Sequence, residues 1–145
     1  MGEVIKIEDF KGQKDMISHL IIYDQKVKEL PSPAISISKE LSKCLLAIPP
    51  KSRTMRLSAS FKHILAEYQE PVIIQDIDVM FNPAYKVDVL RILTEVRKAK
   101  CYSTIWPGRI ERGLLIYSEE GYPDYRVFKI ADYDVTCVIQ GGNIK

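Results

Sequence analysis

Two carboxylates, Asp76 and Asp78, are the residues whose placement most suggests chemistry. They follow the apolar run Val72-Ile73-Ile74 and Gln75, and Val79-Met80-Phe81 comes after them. An apolar run of this length suits a strand buried on both faces of a parallel sheet. A carboxylate at the end of such a strand can hold a magnesium ion or orient a water. In P-loop nucleoside triphosphatases this is the Walker B position. The structural reading is a strand-end carboxylate that caps the next turn or pairs with a cation.

That chemistry needs partners. A phosphate loop of the form G-x-x-x-x-G-K-[ST] supplies backbone N–H groups, a lysine and a magnesium-binding hydroxyl. The nearest spacing is Gly108 to Gly113, but Leu114-Leu115 follows where Lys-Ser/Thr is required. The histidines, His19 and His63, are tied by no motif to a serine or cysteine nucleophile, and packing or surface roles are expected. Cys44, Cys101 and Cys137 form no C-x-x-C pair, so they read as core thiols of a reducing cytoplasm.

The basic residues fall into two groups: Lys51, Arg53, Arg56 and Lys62; and Arg97, Lys98, Lys100, Arg109 and Arg112. Either group could meet a nucleic-acid backbone. With 21 Lys and Arg against 19 acids, however, the net charge of +2 does not demand such a partner. Arg109 and Arg112 flank a Pro-Gly turn just past a strand end, where ligand crevices of parallel sheets lie. Trp106, Tyr117, Tyr122, Tyr125 and Phe128 make the carboxy-terminal third aromatic, which fits core packing or an interface.

The elements that must position these residues follow from the pattern. The 145 residues fit one domain with a real core. Nothing approaches a membrane span, and no signal peptide is read. Residues 1–15 read as a polar lead-in, with Val4, Ile5, Ile7 and Phe10 forming a first strand or helical turn. Strands are expected at 17–23, 34–38, 72–81, 101–106, 114–118, 126–130 and 135–139. Helices are expected at 39–47 with Ser38 as cap, at 52–68, and after Asn82, with Asn82 as cap and Pro83 at the first position. The end, 141–145, is expected to fray. Between the first two main strands, residues 25–33 are too few for a phosphate loop and a full crossover helix. Strands alternating with helices, then a β-rich end, indicate α/β architecture with a parallel centre.

From Ala34 onward the chain resembles the BrxF-like small P-loop proteins of type 3 BREX phage-defence systems. The resemblance rests on Ile37-Ser-Lys-Glu-Leu-Ser-Lys-Cys-Leu-Leu46, Asp76-Ile-Asp-Val-Met-Phe81 and Leu90–Leu93. It continues through Trp106-Pro-Gly108, Leu115-Ile-Tyr117 and Gly121-Tyr-Pro-Asp-Tyr-Arg126. It implies a RecA/AAA-like three-layer α/β core with a mainly parallel sheet and extra antiparallel strands near the C-terminus. It also implies membership of an antiviral complex and ATP binding. The sequence departs from the family in two places. Leu20-Ile-Ile-Tyr23 runs into Asp24-Gln-Lys-Val-Lys-Glu, with no glycine, and Tyr122 stands where a histidine is expected.

The resulting expectation is one degenerate P-loop-like domain acting as a non-catalytic interaction or regulatory subunit in the cytoplasm. Trp106, Arg109, Arg112, Tyr122, Asp124, Tyr125 and Arg126 are the candidate contact surface. No cofactor is expected. The alternatives are an ATPase using ATP and magnesium at Asp76 and Asp78, and a nucleic-acid-binding module.

Overall fold

A computed structural model describes residues 2–12 and 16–140; the expectation for 141–145 lies outside them. Six strands form one sheet: β1 (Glu3–Lys6), β2 (Leu20–Tyr23), β3 (Ala34–Ser36), β4 (Val72–Gln75), β5 (Tyr102–Ile105) and β9 (Val135–Ile139). Their order is β1-β9-β2-β5-β4-β3, and every adjacent pair is parallel. Between β5 and β9 the chain builds a separate antiparallel sheet, β6 (Arg109–Glu111), β7 (Leu114–Tyr117) and β8 (Arg126–Lys129). The architecture is therefore α/β with a parallel main sheet and an antiparallel addition.

Period-2 alternation sorts the strand side chains onto two faces. Leu20 and Ile22 of β2, Val72 and Ile74 of β4, and Val135 and Cys137 of β9 join one apolar cluster. Tyr23, Ile73 and Val138 join the other. Helices α2 (Ser38–Leu46), α3 (Arg53–Leu65) and α4 (Val89–Arg97) cover the first face with Leu41, Leu45, Phe61, Leu65, Leu90 and Leu93. The second is covered by the short α1 (Ile7–Lys11) and by Val27 and Leu30 of the β2–β3 connection. The small sheet packs Leu115 and Phe128 into the first cluster.

Several boundaries differ from the sequence pattern, each for a local reason. The strand expected at 72–81 ends at Gln75, because Asp76 takes a left-handed φ of 61° and Asp78–Phe81 coil into a 3-10 turn. The strand expected from residue 17 begins at Leu20. The helix expected at 52–68 runs from Arg53 to Leu65, behind a 3-10 turn at Pro50–Ser52. Ser38 is the first helical residue and not the cap; Ile37 precedes it with no side-chain capping bond. The helix expected after Asn82 starts at Val89, and its cap is Asp88, whose Oδ1 accepts from the Arg91 N–H at 3.0 Å. Asn82 uses its side chain earlier, accepting from the Ala84 N–H in a local turn. Tyr85 is buried all the same.

Candidate functional site

Strand register sets the site. Tyr23 pairs with Ile105, Ile74 with Thr104 and Tyr23 with Val138, so β2, β4, β5 and β9 end level with one another. Ligands of parallel sheets sit outside the carboxyl ends of the strands. At this edge a cavity of about 350 Å³ is lined by Gln25, Gln75, Asp76, Asp78, Ile105, Trp106 and Pro107. A second, of about 570 Å³, shares Gln25 with it and adds Asp24, Lys26, Gly108, Arg109 and Glu111. The fold thus brings Asp76 and Asp78 to one cavity and Arg109 to its neighbour, with Gln25 lining both.

The two carboxylates are held differently. Asp76 is exposed at the end of β4. Asp78 opens the 3-10 turn and accepts from the Tyr117 hydroxyl at 3.1 Å. Burial, and then the Asp78 charge, push the Tyr117 hydroxyl well above the usual phenol range, so it stays a donor. Tyr117 also stacks on Phe81, with ring centroids 4.0 Å apart and planes 12° apart. The small sheet is thereby fastened to the segment that carries Asp78.

Just past the end of β2 two backbone donors are used within the fold. The Asp24 N–H goes to the Val138 carbonyl at 2.9 Å and the Val27 N–H to the Asp24 carbonyl at 3.0 Å. Gln25 donates from Nε2 to the Gly108 carbonyl at 3.1 Å, drawing the β2 end to the Pro107-Gly108 turn.

The seven residues expected to share a contact surface do not share one. Trp106 is fully buried, with its indole N–H donating to the Ile116 carbonyl at 2.9 Å and its ring edge-on to Phe81 and Phe128. It is a core residue: an indole of that size is most stable enclosed when its N–H finds a partner. Arg112 sits at the turn of the β6–β7 hairpin, whereas Arg109 pairs with Ile116 at its open end. Because Tyr117 pairs with Arg126, residues 118–125 leave the sheet at the Arg109 end. There Tyr122 is 62% exposed and Asp124 accepts from the Ser118 hydroxyl at 2.7 Å. Tyr125 and Arg126 are half-buried, and Arg126 donates to the Tyr125 carbonyl. Arg109, Arg126 and the connection carrying Tyr122, Asp124 and Tyr125 thus lie at the same end of the small sheet.

The basic groups do not converge either. Arg53 donates to the Leu45 and Ile48 carbonyls, and Lys100 to the Tyr68 carbonyl at 2.6 Å. Both donate to carbonyls at or just past the carboxy-terminal end of a helix. Arg109 lies 3.6 Å from Glu111, and Lys98 lies 3.3 Å from Glu95. His63 is exposed, while His19 places Nε2 2.7 Å from the Thr136 hydroxyl. Strand β6 and the Tyr117–Asp78 tie were missed from sequence. A signal for β6 existed: Arg112-Gly113 between Ile110-Glu111 and Leu114-Leu115 is a two-residue hairpin loop.

Comparison with family models, with curated proteins and with solved structures found no match. Among the described residues, no helix is long and apolar enough to cross a membrane.

Proposed function

We propose that the chain is a non-catalytic interaction or regulatory subunit, built on a RecA-like sheet and working within a phage-defence assembly of the BREX kind. The assembly is suggested by the motif resemblance that begins at Ala34. The RecA-like reading is supported by the sheet, in which β2 and β4 both end at one crevice. A strand leading into a phosphate loop and a strand ending on a Walker B carboxylate must do so to serve one nucleotide.

The observation that carries the non-catalytic reading is the β2 end. Where a phosphate loop would turn its N–H groups toward a ligand, those of Asp24 and Val27 are bonded to carbonyls, and Gln25 is tied to Gly108. The neighbouring Asp76 and Asp78 add negative charge, which repels a polyphosphate. Asp78 already has a partner in Tyr117. The crevice fits a protein contact better than a nucleotide, and the exposed Arg109 and Tyr122, at the same end of the small sheet, are the accessible residues offered for it.

The test is co-purification from the native host with the tagged chain. Arg109→Ala combined with Tyr122→Ala is expected to lose the partner while the melting temperature holds. Unchanged recovery overturns the proposed surface. Titration with ATP and magnesium is expected to give no heat at protein concentrations well above micromolar, and saturable heat overturns the non-catalytic reading.

A further inference from the structure

We infer that the opposite, amino-terminal edge of the main sheet carries a second binding site, for a small soluble zwitterion of the amino-acid kind. A cavity of about 460 Å³ opens there between α4 and the turn that leads into β9. This is within the size range of small-molecule sites. One wall is cationic, with Arg91, Arg97 and Lys98 contributed by α4. The facing wall is Asp132, Tyr133 and Asp134, and His19 lines the cavity as well.

The walls carry opposite charges, yet Arg91 and Arg97 form no ion pair within 4.0 Å among the described residues. Some of the polar groups are already committed. Lys98 pairs with Glu95 on its own helix. Asp88 uses both of its oxygens, taking the Arg91 N–H on Oδ1 and the Tyr133 hydroxyl on Oδ2 at 2.9 Å. Lining the space are the side chains of Arg91 and Arg97 on one side and of Asp132 and Asp134 on the other. Guanidinium groups match a carboxylate through paired N–H bonds. A carboxylate against Arg91 and Arg97, with an ammonium toward Asp132, sets each charge of the ligand against a wall of opposite sign. A simple anion would leave Asp132 repelling it, and a simple amine would leave the arginines repelling it.

His19 adds a directional group. Thr136 is buried, and its hydroxyl lies 2.7 Å from His19 Nε2 and donates to Glu3 Oε2 at 3.4 Å. A hydroxyl that donates to Glu3 accepts from the imidazole, so Nε2 carries the proton.

The experiment is isothermal titration of the full chain at constant ionic strength with glycine, 4-aminobutyrate and 6-aminohexanoate. Butyrate and butylamine are the single-charge controls. At least one zwitterion is expected to bind saturably, about tenfold tighter than either control, which is the factor a second satisfied charge readily supplies. Arg91→Gln with Arg97→Gln is expected to remove that binding. Arg91→Gln alone, at an exposed position, is expected to weaken it with the fold intact. Asp132→Asn is expected to weaken the zwitterion but not butyrate. Butyrate binding as tightly as the best zwitterion overturns the proposal. So does undiminished binding in the arginine variants, or no saturable binding up to about 10 mM, beyond the weak end of measured affinities.

Discussion

Gly108 ties the two sheets together at the scale of a single residue. A Cβ there would lie 1.9 Å from the Ile116 carbonyl oxygen, the same oxygen that accepts the Trp106 indole N–H. Backbone and indole converge on one acceptor, and only hydrogen leaves room for both. Gly108→Ala must push the β5–β6 turn away from β7, loosening the Trp106, Phe81 and Phe128 cluster. A loss of about 3 kcal/mol is expected, in the range of overpacking combined with a broken buried bond. Gly121 offers the contrast: its φ is 100°, but open space surrounds it. There alanine carries only backbone strain, about 1 kcal/mol. Urea denaturation of both variants, followed by the fluorescence of the single tryptophan, checks the order; equal losses would contradict it.

At the scale of elements, helix ends explain most of what the sequence made legible and most of what it hid. The spacing predicts one apolar stripe of Leu41, Cys44, Leu45 and Ile48 and another of Leu57, Phe61, Ile64, Leu65 and Tyr68; all are buried except Cys44, Ile48 and Tyr68, which are half-buried. The alternating strands likewise landed in the sheet. Capping was misread because Ser38 and Asn82 are good caps in isolation, whereas the tertiary fold starts the helices elsewhere. Arg53 was read as part of a basic face, but it closes the end of α2 through the Leu45 and Ile48 carbonyls. Nothing in local sequence announces a bond across the Pro49-Pro50 corner. Arg53→Ala is therefore expected to cost about 1 kcal/mol, the loss of one part-buried charge-assisted N–H shared between two carbonyls. Lys62→Ala, on the exposed side of α3, is expected to change stability by less than about 0.5 kcal/mol. Thermal melts distinguish the two. The candidate site was legible only in part: Asp76 and Asp78 could be picked out by type, but Tyr117 reaches Asp78 across 39 positions of sequence.

The β6–β7 hairpin turn supplies a second element-scale test. Arg112 and Gly113 both have positive φ, 53° and 76°, which is the requirement of a two-residue type I′ loop. Asparagine adopts that conformation more readily than arginine. Arg112→Asn is expected to raise stability by about 0.5 kcal/mol. Because Arg112 lies at the far end of β6 from Arg109, partner recovery is expected to be unaffected. A variant that is stabilised yet loses its partner would return Arg112 to the contact surface.

For the whole molecule, the buried Cys137 and the half-buried Tyr133, both in the apolar cluster on the helix-covered face of the main sheet, make alkali the informative perturbation. Burial pushes the Cys137 thiol from its ordinary 9.0 up to about 12. Burial, then the bond to Asp88, raises the Tyr133 hydroxyl from 10.0 to about 12. In each case the folded state holds a proton that the unfolded chain releases at lower pH. Stability from Cys137 is thus complete below pH 9.0 and declines as pH rises toward 12. The contribution of Tyr133 is complete below pH 10.0 and fades over the upper part of that interval. Stability measured by urea denaturation should therefore be flat to about pH 9 and fall steadily above it. Cys137→Val, which keeps an apolar side chain of similar size in the sheet, should remove the first part of the decline and leave the second. An unchanged slope between about pH 9 and about pH 10 in that variant would mean that alkaline loss begins at the surface and not at the thiol between the sheet and its helices.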